Sequence, residues 1–348
     1  MKIAVYTIAL NEEKNVEQWY ESAKDADYLF IADTGSTDKT IRIAKKLGIN
    51  VAKISIKPWR FDDARNAALA LLPDDIDICI SLDMDEVLVE GWREALESMP
   101  ENTTQVLYEY TWSWRDPQSR TQPQIRYLIN KVHARHGYRW KYIVHELPFP
   151  DRNIKHVESF VENFKIHHYQ DIDKNPSRYS QLILDCFEEN QENPRYWEYL
   201  IEKYISDNNA ETKETIFKYI KKFKNVLNNE ELARAYYFLF LHTMNKKYLF
   251  KAYRIFPNNR QYCLDMAIVY FEKNKLRFSK KYAKKALNIN KGEMNHHYKE
   301  YVWGYLAKNM LFVCNYNLKF KNRKQKIEFS PHSTISSSFD LYKDWDVL

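Results

Sequence analysis

Over the first hundred residues, short apolar runs alternate with longer stretches of helical period, and that rhythm predicts a parallel sheet with crossover helices. Lys2–Leu10 is an apolar run followed by a polar helical pattern through Lys24. Tyr28–Ala32 reads as the next strand, and Ser36–Leu47 as the next helix, stopped by Gly48. Val51–Ile56 is a third strand, Asp62–Leu71 a third helix ended by Pro73, and Ile76–Leu82 a fourth strand. Strand–helix–strand spacing of this kind implies right-handed crossovers and an α/β fold.

After Pro100 the period changes. Gln105–Trp114 and Gln124–His133 alternate and are rich in Tyr, Trp, Val and Ile, which predicts antiparallel strands joined by a loop at Asp116-Pro117. Tyr138–Leu147 and Phe160–Tyr169 continue the pattern. From Pro176 to about Phe320 the period is helical: Tyr196, Leu200, Tyr204 and Ile205 share one face, and Leu232, Ala235, Tyr236 and Leu239 another. Ala267, Tyr270, Ser279 and Ala286 fall near the small and aromatic positions of a tetratricopeptide helix pair. The expected division is an α/β domain over 1–170, an all-α helical-hairpin domain over 171–320, and a tail over 321–348.

Charge sharpens this division. Residues 1–100 carry a net −7 and the rest of the chain +13. An acidic N-terminal part suits a metal site; a basic C-terminal part suits an anionic acceptor, a membrane surface or a partner, or is simply solvated helix faces. Aromatic residues make up 15% of the chain, read first as helix packing and second as a surface for stacking on sugars or bases. Cys79, Cys186, Cys263 and Cys314 form no CxxC pair and read as buried apolar residues in a reducing compartment. No apolar run approaches the roughly 20 residues that cross a bilayer, and the polar start does not resemble a signal peptide. A cytoplasmic location is the default.

The strongest local chemistry is Ser81-Leu82-Asp83-Met84-Asp85-Glu86, where an apolar strand delivers two carboxylates at the end at which open α/β sheets bind ligands. Alternate residues of an extended segment point the same way, so Asp83 and Asp85 could share one divalent cation. Three further polar segments belong to the same edge. Thr7-Ile8-Ala9-Leu10-Asn11-Glu12-Glu13 ends the first strand. Asp33-Thr34-Gly35-Ser36-Thr37-Asp38 ends the second, with Ser36 or Thr37 placed to cap the next helix and Asp33 left free for a base or ribose. Phe61-Asp62-Asp63-Ala64-Arg65-Asn66 opens the third helix and offers a cation and an amide toward phosphates or ribose.

In this order, N-E-E, DTGSTDKT, F-x-x-ARN and LDMDE resemble the nucleotide-binding half of family 2 glycosyltransferases with the GT-A fold, a Rossmann-like nucleotide-sugar-binding domain. Trp140–Glu146 and Lys165–Tyr169 resemble later segments of a branch of that family in which tetratricopeptide-like helices follow. The resemblance implies that Thr7, Ala9, Asn11, Glu12 and Asp33 line the nucleoside pocket, with Arg65 near the ribose or diphosphate and Asp83 facing the ribose or sugar. It makes Asp85 the firmest metal ligand, for Mn²⁺ or Mg²⁺, and places the closing ligand on a histidine, with spacing favouring His168 over His167.

The reaction expected is inverting transfer from a nucleotide-diphosphate sugar, UDP-linked before GDP-linked, to a glycan, protein or lipid-linked acceptor. Such a reaction needs a carboxylate to take the acceptor's proton. Glu146, expected in a strand at the acceptor side, is the first choice, with an ion pair as its alternative role; Asp116 is second. The helices could bind the acceptor, brace the catalytic domain or form a homodimer. No nucleic-acid partner is expected. A nucleotidyltransferase would usually carry a Gly-rich phosphate loop, and this chain has six glycines and no such motif. A scaffold that binds nucleotide-sugar without catalysis is the remaining alternative.

Overall fold

The computed structural model describes residues 1–116, 118–169, 177–289, 298–299 and 306–319. Two compact units divide the chain, Met1–Lys174 and Asn175–Leu348. The expected border at 170/171 and the tail at 321–348 lie outside the described residues.

In the first unit, β1 (Ile3–Ala9), β2 (Tyr28–Asp33), β3 (Asn50–Lys53) and β4 (Ile78–Ser81) form a parallel set. They are linked by α1 (Val16–Ala23), α2 (Thr40–Lys46) and α3 (Phe61–Ala70). Successive residues of β1 serve opposite faces of the sheet. Ile3 and Val5 join Trp19 of α1 in one core cluster, while Ala4 and Tyr6 join Ala68 and Leu69 of α3 in another. A strand buried on both faces must be apolar throughout, which is why these segments read as runs and not as alternations.

The strand order is β3-β2-β1-β4-β7-β6-β10-β5. The chain travels outward from β1 to β3 and then returns to the other side of β1 with β4. That reversal opens a crevice beyond the carboxyl ends of β1 and β4. The remaining strands are β5 (Glu86–Leu88), β6 (Gln105–Trp114), β7 (Pro123–Ala134), β8 (Tyr138–Lys141), β9 (Leu147–Pro150) and β10 (Glu158–His168), with α4 (Trp92–Glu97) after β5. β7 is antiparallel to both β4 and β6, so β6 points the same way as β4. β10 is parallel to β6, where alternation alone suggested an antiparallel pair. In consequence β1, β2, β4, β6 and β10 all end at one edge.

Tyr138–Leu147 is not the single strand expected. Lys141 pairs with Leu147 across a short excursion, in which Tyr142 (φ 83°) and His145 (φ 50°) take left-handed backbone. Glu146 therefore sits in a turn and not in a strand. Trp140, at the end of β8, packs beneath α3.

The second unit is helical: α5 (Ser177–Glu189), α6 (Pro194–Ser206), α7 (Thr212–Phe223), α8 (Asn229–Thr243), α9 (Lys246–Ile255), α10 (Arg260–Glu272), α11 (Leu276–Asn288) and α12 (Leu306–Lys319). Asparagine starts four of them. The side chains of Asn193, Asn228, Asn245 and Asn259 each accept a backbone N–H of the first turn, satisfying donors that a helix leaves unpaired. The predicted faces are buried at Tyr196, Leu200, Ala235, Tyr236 and Leu239 and half-buried at Tyr204, Ile205 and Leu232. Ala267, Ser279 and Ala286 are buried, and Tyr270 stacks on Tyr282 at 5.4 Å. Most of the aromatic content is thus packing. All four cysteines are free and buried, and among the described residues no helix is long and apolar enough to cross a membrane.

Candidate active site

Arg65 is the hub of the crevice. It lies on the first turns of α3 and is 4% exposed. Its Nε meets Glu146 Oε1 at 2.5 Å, one terminal nitrogen donates to Ser81 Oγ at 2.9 Å, and the other meets Asp83 Oδ1 at 2.8 Å. The guanidinium also faces the Trp140 ring at 5.0 Å. It is neither a surface ion pair nor an open phosphate contact; it ties α3, the end of β4 and the 142–146 turn together. Asn66, expected to offer its amide to a ligand, exchanges hydrogen bonds with the Trp140 backbone instead.

A second cation holds Asp83 from the other side. Lys131 of β7 places its Nζ 3.0 Å from Asp83 Oδ2 and 3.2 Å from Glu86 Oε1. Glu86 is 1% exposed; it also accepts the Tyr110 hydroxyl at 2.7 Å and the Asp83 backbone N–H at 2.8 Å. Burial opposes ionisation of Asp83, yet Arg65 and Lys131 together pull its pKa down to about 2. For Glu86 burial prevails over Lys131, and its pKa is raised. Lys131 and Tyr110 belong to no motif in the sequence, and Glu86 stands there only as the last residue of the Asp83–Glu86 motif. A lone lysine in an alternating strand looks solvent-facing, and only the β4–β7 pairing reveals its neighbours.

Asp85 and His168 meet because β5 begins one residue after Asp85 and pairs with the end of β10, Glu86 opposite His168. Asp85 Oδ2 lies 3.6 Å from His168 Nε2. His168 Nδ1 is 2.9 Å from the Trp112 carbonyl. A carbonyl only accepts, so Nδ1 carries a proton and Nε2 is the atom turned to Asp85. Trp112 stacks on the imidazole at 4.3 Å. Burial lowers the His168 pKa, but the hydrogen bond and charge of Asp85 outweigh it and hold it above 6.5. His167 lies on the opposite face of the strand, against Trp114.

The loops after β1 and β2 interlock. Asn11 (φ 57°) accepts the Thr37 N–H at 2.8 Å and donates its own N–H to Ser36 Oγ. Asp33 is fully buried and accepts from the backbone N–H groups of Gly35 and Ser36, so it is not free as expected. Asp38, not Ser36 or Thr37, accepts the Thr40 N–H at the start of α2. Thr7 and Ala9 are buried in β1, and Glu12 bonds Asn15 and Thr40. In register, Ala9 lies opposite Asp33, so these residues do share one stretch of the sheet edge.

The two carboxylates considered as bases differ sharply. Glu146 is buried and committed to Arg65. Asp116 is exposed in the 115–122 loop, where a Ser119 hydrogen bond and the Gln118 N–H lower its pKa. That loop lies over the end of β10: Trp114 donates to the His168 carbonyl at 2.9 Å, and Arg120 sits 4.1 Å over the Tyr169 ring.

Residues 4–168 match the family model described as glycosyl transferase family 2. This span covers nearly all of the first unit. The first unit is thus similar to glycosyl transferase family 2. Among its relatives is an uncharacterised glycosyltransferase of Rickettsia bellii, 33% identical over 98 residues, which cover 28% of this chain and 32% of the relative. A TPR repeat-containing protein of Synechococcus elongatus is 31% identical over 138 residues, 36% of this chain and 33% of that protein. The chain thus spans about a third of the length of the curated relatives it matches. Among solved structures, S. aureus TarS gives a TM-score of 0.38 at 11% identity, covering 71% of this chain and 54% of that one. Glucosyl-3-phosphoglycerate synthase from Mycobacterium tuberculosis, solved with Mn²⁺, UDP-glucose and phosphoglyceric acid, gives 0.35 at 19% identity, covering 54% and 79%.

Proposed function

We propose that this chain is a member of glycosyl transferase family 2 and a metal-dependent, inverting glycosyltransferase that takes a sugar from a nucleotide-diphosphate sugar, UDP-linked first and GDP-linked second. The observation that carries the reading is the convergence of Asp85 and His168, 3.6 Å apart, beside an Asp83 whose two oxygens are already matched by Arg65 and Lys131. In this arrangement Asp83 is a fixed, charge-balanced wall of the donor pocket, and Asp85 is the carboxylate turned toward His168. The strand ends at Thr7, Ala9 and Asp33, with the loop residues Asn11 and Glu12, form the nucleoside side.

The donor set fits a divalent cation. One carboxylate and one imidazole, its tautomer fixed by the Trp112 carbonyl, make a mixed oxygen–nitrogen pair that suits Mn²⁺ better than Mg²⁺. Two protein ligands leave the other positions for phosphate oxygens and water. A cation held there would neutralise charge on the departing diphosphate. Glu146, buried and tied to Arg65, serves in this reading as the anchor of that guanidinium. Asp116, exposed on the loop beside His168, takes the acceptor's proton. The helical unit is read as tetratricopeptide-like hairpins.

The test is a panel of nucleotide-sugars assayed for slow donor hydrolysis with and without Mn²⁺. The expected result is Mn²⁺-stimulated hydrolysis of one nucleotide class, lost in Asp85→Asn while the fold is retained. Binding without turnover by any donor would leave the scaffold alternative standing; no binding at all would reject the reading.

A further inference from the structure

Residues 241–289 hold twelve Lys and Arg against two acids, Asp265 and Glu272. Both acids are engaged, Asp265 by Tyr237 and Gln261, and Glu272 by Lys246 at 2.8 Å. The Lys246–Glu272 pair joins the start of α9 to the end of α10. Phe278 of α11 stacks on Tyr270 of α10 at 5.2 Å, and Phe250 of α9 lies 6.1 Å from the same ring. These contacts bring the α8–α9 turn and the α10–α11 turn to one end of the helical unit. There Lys247, Lys273, Lys275 and Arg277 are exposed. So are two large apolar side chains, Met244 and Phe278, each 52% exposed.

A merely solvated basic face has no use for exposed Phe and Met within it, and an acidic polymer would be met by the cations alone. Cations surrounding protruding apolar groups match an anionic bilayer, whose headgroups take the charges and whose acyl boundary takes the apolar tips. The geometry points to peripheral docking of this end of the helical unit on an anionic lipid surface. Met244 and Phe278 insert; Lys247, Lys273, Lys275 and Arg277 meet the headgroup phosphates. This docking stands on the helical unit alone and does not depend on the proposed chemistry.

The experiment is co-sedimentation of the full chain with vesicles of phosphatidylglycerol and phosphatidylcholine, and with vesicles of phosphatidylcholine alone. Binding to the anionic vesicles, weakened by NaCl and absent from the neutral ones, is the expected result. Since each cation at such a surface contributes about fivefold in affinity, Lys247→Glu with Lys275→Glu lowers binding by at least about tenfold. Met244→Ser with Phe278→Ser lowers it by roughly fivefold or more. Lys45→Glu with Lys46→Glu, a matched charge change on exposed residues of α2, leaves it within about twofold. Circular dichroism and melting temperature confirm that every variant is folded. No binding to anionic vesicles, equal loss in the α2 control, or full binding by the Met244/Phe278 variant would each overturn the proposal; the last would assign the cations to an acidic polymer.

Discussion

The guanidinium of Arg65 reaches Asp83 at 2.8 Å and Glu146 at 2.5 Å, joining a residue just past β4 to a turn 63 positions later in the chain. Removing the cation strands the buried Glu146 and leaves Asp83 with Lys131 alone. Arg65→Met is expected to cost about 3–5 kcal/mol, with Arg65→Lys recovering part of it because an ammonium cannot bridge like a planar fork. Urea denaturation checks this as a fall in midpoint at constant m-value; a change under about 1 kcal/mol would contradict the hub role.

The division of labour between Glu146 and Asp116 separates in kinetics. Asp116→Asn is expected to lower kcat by roughly 10²–10⁴ with little change in donor KM. Glu146→Gln is expected to raise donor KM, because it loosens Arg65 and through it Asp83. The opposite pattern would return the base role to Glu146.

Lys131 and Glu86 act as a unit, so their substitutions should not add. Lys131→Met leaves the buried Glu86 without its cation, whereas Lys131→Met with Glu86→Gln removes both charges. The double variant is expected to be less destabilised than the sum of the singles by about 1–3 kcal/mol. Additivity in chemical denaturation would show that the 3.2 Å contact contributes nothing.

His133 gives a pH dependence with a definite sign. Its Nδ1 donates to the Ala134 carbonyl, leaving Nε2 to accept the Tyr6 hydroxyl, which in turn accepts the Trp140 indole N–H. Burial lowers its pKa to about 4. The unfolded chain therefore takes up this proton first as pH falls. The stability contribution is complete above about 6.5 and is lost progressively down to about 4, amounting to roughly 3 kcal/mol at most. In His133→Gln the slope of stability between these pH values should flatten. An imidazole that titrates near 6.5 in the folded protein, followed by NMR, would rule the account out.

The parallel half of the fold was legible because strands buried on both faces must be apolar runs, and Gly48 and Pro73 mark where helices stop. In the second half the antiparallel β6–β7 pair was legible, but the neighbours of β10 and β5 were not. Nothing in Glu158–His168 states that it lies parallel to β6, and β5 is three residues long. The break after Lys141 was hidden because Tyr142 and His145 adopt positive φ without the glycine that would announce it. At the edge of the sheet, motif position told where polar groups gather. It did not tell which were already satisfied: Asp33 serves its own turn, Asn66 serves the Trp140 backbone, and Asp83 is held by a lysine from a strand 48 residues away.

The claim that Asp85 and His168 hold a cation for a nucleotide diphosphate is tested most directly by thermal unfolding with UDP, GDP or CDP, with and without Mn²⁺. A ligand that binds only the native state stabilises it by about 2.7 kcal/mol at a hundredfold excess over Kd. One nucleotide is expected to raise the melting temperature only when Mn²⁺ is present, with the increment lost in both Asp85→Asn and His168→Ala. A nucleotide increment independent of Mn²⁺, or retained in both variants, would contradict the assignment.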